Sequence, residues 1–145
     1  MRLSAKIEYA AIAAVELARR IGSPDPVRIR GICEAQGVPA RFLVHILLQL
    51  KAAGIVASTR GAAGGYRLAR PPEEITLDDI RRAVEGPGAL VAPVTTELAP
   101  RSRVATVLAT AWQEASDAEA AALASIKLSD LAARCRGAGD TMYYI

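Results

Sequence analysis

The feature that most restricts this chain is the run Ile55–Ala69, IVASTRGAAGGYRLA, which follows directly on an apolar-periodic stretch. Two short β-prone runs, Ile55–Ser58 and Tyr66–Ala69, flank a loop of Gly and Ala with a single arginine, Arg60, at its base. Gly61, Gly64 and Gly65 allow the backbone to reverse tightly and leave its N–H groups unshielded. The segment therefore reads as a hairpin docked behind the helix Pro39–Ala53. It does not read as a nucleotide-binding loop: it matches neither GxGxxG nor the Walker pattern, and it leads into a strand instead of a helix.

Three helices precede the hairpin. Ser4 is positioned to cap a helix over Ala5–Arg20, with Ile7, Ala10, Ala14, Leu17 and Ile21 at helical spacing and Gly22 as its stop. After the turn SPDP, Ile29–Gln36 reads as a short helix with Ile29, Ile32 and Cys33 inward, ended by Gly37. Pro39 opens a third helix whose core face is Leu43, Ile46, Leu47 and Leu50, and Gly54 ends it. Helix–helix–helix–hairpin, with only Gly37–Val38 between the second and third helices, is the order of a winged helix-turn-helix.

Beyond the hairpin, Thr76 and Asp79 form an acidic capping box that opens a helix over Leu77–Glu85. The Pro- and Gly-containing stretch to Pro100 reads as a linker, followed by one long helix, Arg101–Ile126, a short helix, Leu128–Arg136, and a tail. The expected fold class is mainly α with a small β-hairpin. It comprises a winged helix-turn-helix domain at 1–86, a linker or sensor loop at 87–100, dimerisation and C-terminal helices at 101–136, and a tail, mobile from its polar lead-in, at 137–145. The long helix carries Val104, Leu108, Ala111, Trp112, Ala115, Ala118 and Ala122, small or apolar residues that let another helix approach closely. Its length exceeds what a small domain needs to cover itself, so a second copy of the chain is the expected partner.

Charge is distributed unevenly. Residues 1–70 carry eleven Lys or Arg against four acidic side chains, whereas residues 71–145 carry seven against eleven. A basic half joined to an acidic half points to a polyanion partner for the first, the alternative being a solvated basic face. Two cysteines far apart, Cys33 and Cys135, suggest neither a disulfide framework nor a zinc site. No apolar run is long enough to span a bilayer, and MRLSAKIEYA lacks the apolar core of a secretory signal, so a cytoplasmic protein without membrane association is expected. No nucleophile–base pair, metal-ligand spacing or carboxylate dyad points to an enzyme.

The segments MRLSAKIEYA, QGVPARFLVHILLQLKAAGIV and RGAAGGYRLARPPEEITLDDIRRAVEG resemble the Rrf-type bacterial winged-helix transcription regulators. The match is specific through Gly86 and looser beyond it. The resemblance implies a dimer in which the long helices pair across a two-fold axis. A subset of the family binds an iron–sulfur cluster through three cysteines between the fourth helix and the dimer helix. Here the window from Gly86 to Trp112 contains no cysteine, and Thr95, Thr96 and Glu97 cannot supply soft thiolates, so no cofactor and no metal are expected.

The third helix is the candidate recognition helix, presenting Pro39, Ala40, Arg41, Val44, His45, Leu48 and Lys51 outward. Arg41 suits a guanine edge or a phosphate, and Val44 suits a thymine methyl. His45 suits a base edge or a phosphate, or is merely a surface histidine. Family members commonly carry Ser, Glu and Gln around these positions, so the base preference of this chain should differ. Arg60, with Gly61 and Gly64, is placed to enter a narrow minor groove or to meet a phosphate. Arg67 can add a phosphate contact from the wing. Arg2, Ser4 and Lys6 resemble the family's phosphate-anchoring N-terminus. Cys33 reads as core packing; Cys135, between Arg134 and Arg136, reads as a redox-sensitive thiol or a plain surface one.

The combined expectation is a homodimeric, sequence-specific regulator of double-stranded DNA, acting as a repressor without a cluster. The alternative is a winged-helix protein-interaction or redox-sensing module whose output runs through a partner protein. An effector pocket beside the linker is open to either, and no residue identifies its ligand.

Overall fold

The computed structural model describes residues 3–86 and 102–142, with side chains as far as Gly137. Arg2, the 87–100 linker and Arg101 lie outside the described residues. Three helices open the chain: α1 (Ala5–Arg19), α2 (Ile29–Gln36) and α3 (Ala40–Ala52). Ser4 caps α1 as expected, its hydroxyl accepting from the Ile7 amide at 3.2 Å. α2 ends at Gly37, whose left-handed backbone (φ +72°) hands the chain on to α3 within two residues. Pro39 is the cap of α3 and not its first helical residue: ψ of 131° keeps it extended while its carbonyl accepts from Leu43.

The hairpin pairs β1 (Val56–Thr59) with β2 (Gly65–Leu68) in antiparallel register, Val56 opposite Leu68 and Thr59 opposite Gly65. Gly65 thus belongs to the strand, not to the loop. It sits there because Val27 forms a bridge with Tyr66, and a Cβ at position 65 would lie 2.6 Å from the Val27 carbonyl oxygen. The wing is thereby tied to the segment that leads into α2.

After a 3-10 turn at Pro72–Glu74 comes α4 (Leu77–Glu85), opened by a complete capping box between Thr76 and Asp79. α5 (Arg103–Ala124) is capped by the Ser102 hydroxyl, and α6 (Leu128–Met142) follows after a tight elbow. α6 runs past Arg136, its expected end, through Gly137 and Gly139 to Met142, and residues 143–145 of the expected tail lie outside the described residues. Glycine in a helix costs about 1 kcal/mol relative to alanine, which weakens a helix without ending it.

One hydrophobic core takes in residues from α1, α2, α3, the hairpin, α4 and α6. Ile32, Leu43, Ile46, Leu47, Leu50, Ile55, Ile75, Ile80 and Leu128 are all fully buried. α1 is the central element, packed against α2, α3, α4, β2 and α6. The core face of α3 is the one its spacing predicts. α6 joins the core through Leu128 and Ala132, and its start is held in place by backbone bonds. The Leu128 amide donates to the Ile75 carbonyl at 2.9 Å, and the Leu77 amide to the Ile126 carbonyl at 3.0 Å.

One ion cluster is buried in α4. Asp78 and Arg81 are 3% and 6% exposed, and the Asp78 carboxylate accepts from Arg81 at 2.9–3.0 Å and from Arg82 at 2.9 Å. Burial alone would raise the Asp78 pKa. The hydrogen bonds and charges of Arg82 and Arg81 outweigh it and hold the carboxyl below its ordinary value.

Candidate nucleic-acid interface

Four cations from three parts of the chain converge on one open groove of about 610 Å³. Arg28 and Arg30 come from the start of α2, Lys51 from the last turn of α3, and Arg60 from the base of the wing loop. The floor includes Gly61, Gly64 and Gly65, and no acidic side chain lines it among the described residues. The loop stays thin because its glycines are required. Gly61 holds φ +107°, and a Cβ on Gly64 would collide with the Thr59 carbonyl oxygen and lie 2.9 Å from the Gly61 carbonyl oxygen. Backbone and a single guanidinium are thus presented together at the wing.

The outward face of α3 lies beside this groove, because Lys51 belongs to both. Ala40, Arg41, Val44, His45 and Leu48 are all exposed, whereas Pro39 is half-buried at the cap. The Arg41 guanidinium lies 4.8 Å from the centre of the Phe42 ring, and that ring lies 5.8 Å from the ring of Tyr9. These contacts set the first turns of α1 beside the first turn of α3. Lys6 is exposed on that part of α1, and Ser4, besides its capping role, donates to a Glu85 carboxylate oxygen at 3.1 Å.

Arg67 departs from its expected role. Its guanidinium donates to the carbonyls of Ser23 (2.8 Å) and Pro24, so it clamps the α1–α2 turn against the wing and is not aimed at the groove. Conversely, Arg28 and Arg30 are groove residues that sequence reasoning passed over. Their only signal was a cationic pair at the start of a short helix, and the Val27–Tyr66 bridge is what brings that pair to the wing. Arg30 also pairs with Glu34 at 2.8 Å, both exposed.

The residues expected at a subunit interface share one face of α5. Val104, Leu108, Ala111, Trp112, Ala115, Ala118 and Ala122 are all exposed, Val104 by 69% and Trp112 by 54%. A flank of α5 adjoining this stripe faces its own domain, with Ser116 buried and Glu119, Ala120 and Leu123 half-buried. Ile126 lies half-buried at the elbow.

Cys33 is half-buried against the core. Cys135 is exposed at the rim of an apolar hollow of about 460 Å³ between α1 and α6, lined by Ala11, Ile12, Val15 and Leu131. No group of three or more His, Cys, Asp or Glu among the described residues is placed to hold a metal. No helix of the described residues is long and apolar enough to cross a membrane.

Comparison with known proteins agrees with this geometry. The Rrf2 family, described as iron-dependent transcriptional regulators, matches residues 3–134. An HTH-type transcriptional regulator of Mycobacterium tuberculosis H37Rv is 39% identical over 132 residues, covering 91% of this chain and 81% of that protein. CymR of Bacillus subtilis is 32% identical over 146 residues, the full length of both. The solved structure of CymR, the global cysteine regulator of B. subtilis, superposes with a TM-score of 0.74 at 31% identity, covering 92% of this chain and 98% of CymR. IscR of T. potens gives the same TM-score and identity over 95% of this chain and 90% of its own.

The three-cysteine ligand set of the cluster-binding subset is not present in this chain. Its 145 residues hold two cysteines, one half-buried in α2 and one exposed on α6, and the window from Gly86 to Trp112 has none. Three thiolates cannot be assembled from that set.

Proposed function

The chain belongs to the Rrf2 family of winged-helix transcriptional regulators, and from that premise we propose that it is a homodimeric, sequence-specific repressor that works without an iron–sulfur cluster. The observation that carries the reading is the acid-free groove in which Arg28, Arg30, Lys51 and Arg60 meet beside the outward face of α3. In this reading α3 enters the major groove, and Arg60 reaches the flanking minor groove or its phosphates. Phosphate contacts supply affinity, and the α3 side chains supply selectivity.

The exposed stripe on α5 supports the dimer. Val104, Leu108, Ala111, Trp112 and Ala115 form an exposed stripe on a helix whose adjoining flank already covers its own domain. An apolar strip of that extent is what a second copy would bury. Repression follows from occupancy: a dimer seated across a promoter excludes polymerase.

Selection of bound genomic fragments followed by footprinting tests the proposal. The expected result is a protected, roughly palindromic site whose half-sites are separated by about 10 base pairs or a multiple of it. Affinity should fall steeply with salt, and transcription from such a site should drop when the protein is added. Salt-independent binding, or no enrichment over random fragments, would overturn the proposal.

A further inference from the structure

The outward face of α3 is unusually apolar for a helix that reads bases. Val44 and Leu48 are 42% and 53% exposed, and neither belongs to the hydrophobic core nor to the half-buried set packed on it. They stand i, i+4 apart and interleave with Arg41 and His45, on the side of α3 opposite Leu43, Ile46, Leu47 and Leu50. Phe42, also exposed, is already engaged by Tyr9 and Arg41.

The surroundings say what covers Val44 and Leu48. The groove that shares Lys51 with this helix is cationic and free of acids, so the complementary surface is a polyanion and not an apolar protein face. On the floor of a duplex major groove the only outward apolar group of an unmodified base is the C5-methyl of thymine. We propose that Val44 and Leu48 determine specificity by packing on thymine methyls. Each operator half-site then carries thymines opposite these two side chains, while Arg41 and His45 take hydrogen-bonding edges or phosphates. The inference rests on the DNA-binding reading above and deepens it.

Uracil differs from thymine only in lacking that methyl, which makes the test direct. Operator duplexes recovered by selection are synthesised with deoxyuridine replacing thymine one position at a time, and affinity is measured by fluorescence anisotropy at fixed salt. Burial of one methyl corresponds to about a fourfold change in affinity. The expected result is about a fourfold loss at one or two positions per half-site, with the salt slope unchanged. Val44→Ala should abolish the penalty at one of those positions and Leu48→Ala at the other; both side chains are exposed, so both variants should fold.

Equal binding of thymine and uracil operators would overturn the inference while leaving sequence-specific DNA binding intact. So would a uracil penalty that persists in the Val44→Ala, Leu48→Ala double variant, because the methyl would then act through duplex shape. Recovery of no specific duplex at all would overturn both this inference and the reading beneath it.

Discussion

Arg60 and Arg67 are seven residues apart on the same hairpin, carry the same charge and are both exposed, yet their surroundings predict opposite consequences of removing them. Arg60 opens into the acid-free groove, whereas Arg67 is committed to the carbonyls of Ser23 and Pro24. In a dimer, Arg60→Ala removes two cationic contacts. With about 0.9 counterions released per neutralised phosphate, the slope of log K against log salt should become shallower by about 1.8. Between about 50 and 150 mM salt the wild type should therefore lose about sevenfold more affinity than the variant. Loss of specific binding at fixed salt should be about 1–3 kcal/mol. Arg67→Ala should leave the slope unchanged and instead lower stability by about 1 kcal/mol through the lost hydrogen bonds. Anisotropy titrations over several salt concentrations, paired with urea unfolding of the same samples, separate the two. Equal slopes for wild type and Arg60→Ala, or a slope change in Arg67→Ala matching that expected of Arg60→Ala, would refute the assignment.

Three further outcomes are expected. Asp78→Ala removes the buried carboxylate to which Arg81 and Arg82 donate and should destabilise by about 3 kcal/mol, read from the urea midpoint. In the wild type the contribution of Asp78 is present above the ordinary carboxyl pKa of about 4 and is lost as pH falls through its lowered native value, so acid unfolding should be shallower in the variant. Thr76→Ala removes half of the α4 capping box at a cost of about 1 kcal/mol, measurable by thermal melting. Leu108→Arg places a charge in the exposed α5 stripe and should shift the protein from dimer to monomer in sedimentation; an unchanged dimer would assign the interface to another surface.

What could be read from the sequence was what is decided locally. The Thr76–Asp79 box, the Ser4 cap and the inward face of α3 depend on residues within one or two turns, and the structure shows each of them. The hairpin was legible because glycines announce it, although both strands sit one residue nearer the loop than the expected Ile55–Ser58 and Tyr66–Ala69. What escaped depends on distant parts of the chain. Arg67 was read as a DNA contact because its acceptors lie 43 and 44 residues away. Arg28 and Arg30 were missed because only the bridge from Val27 to Tyr66 carries them to the wing. The Asp78–Arg81 pair, at i, i+3, has no local signal that marks it as buried; the packing of α4 buries it. For the α5 stripe, periodicity marked an apolar face, and the fold has left that face uncovered.

The paired amides and carbonyls at the foot of α4, Leu77 to Ile126 and Leu128 to Ile75, weld the elbow between the last two helices to the reading head. In a two-fold assembly that weld works like the hinge pin of a calliper. The distance between the two reading tips is set by the angle at which α5 leaves its own domain. A residue inserted at Lys127 would change that angle, and with it the spacing of half-sites the protein accepts, without touching any side chain that meets a base.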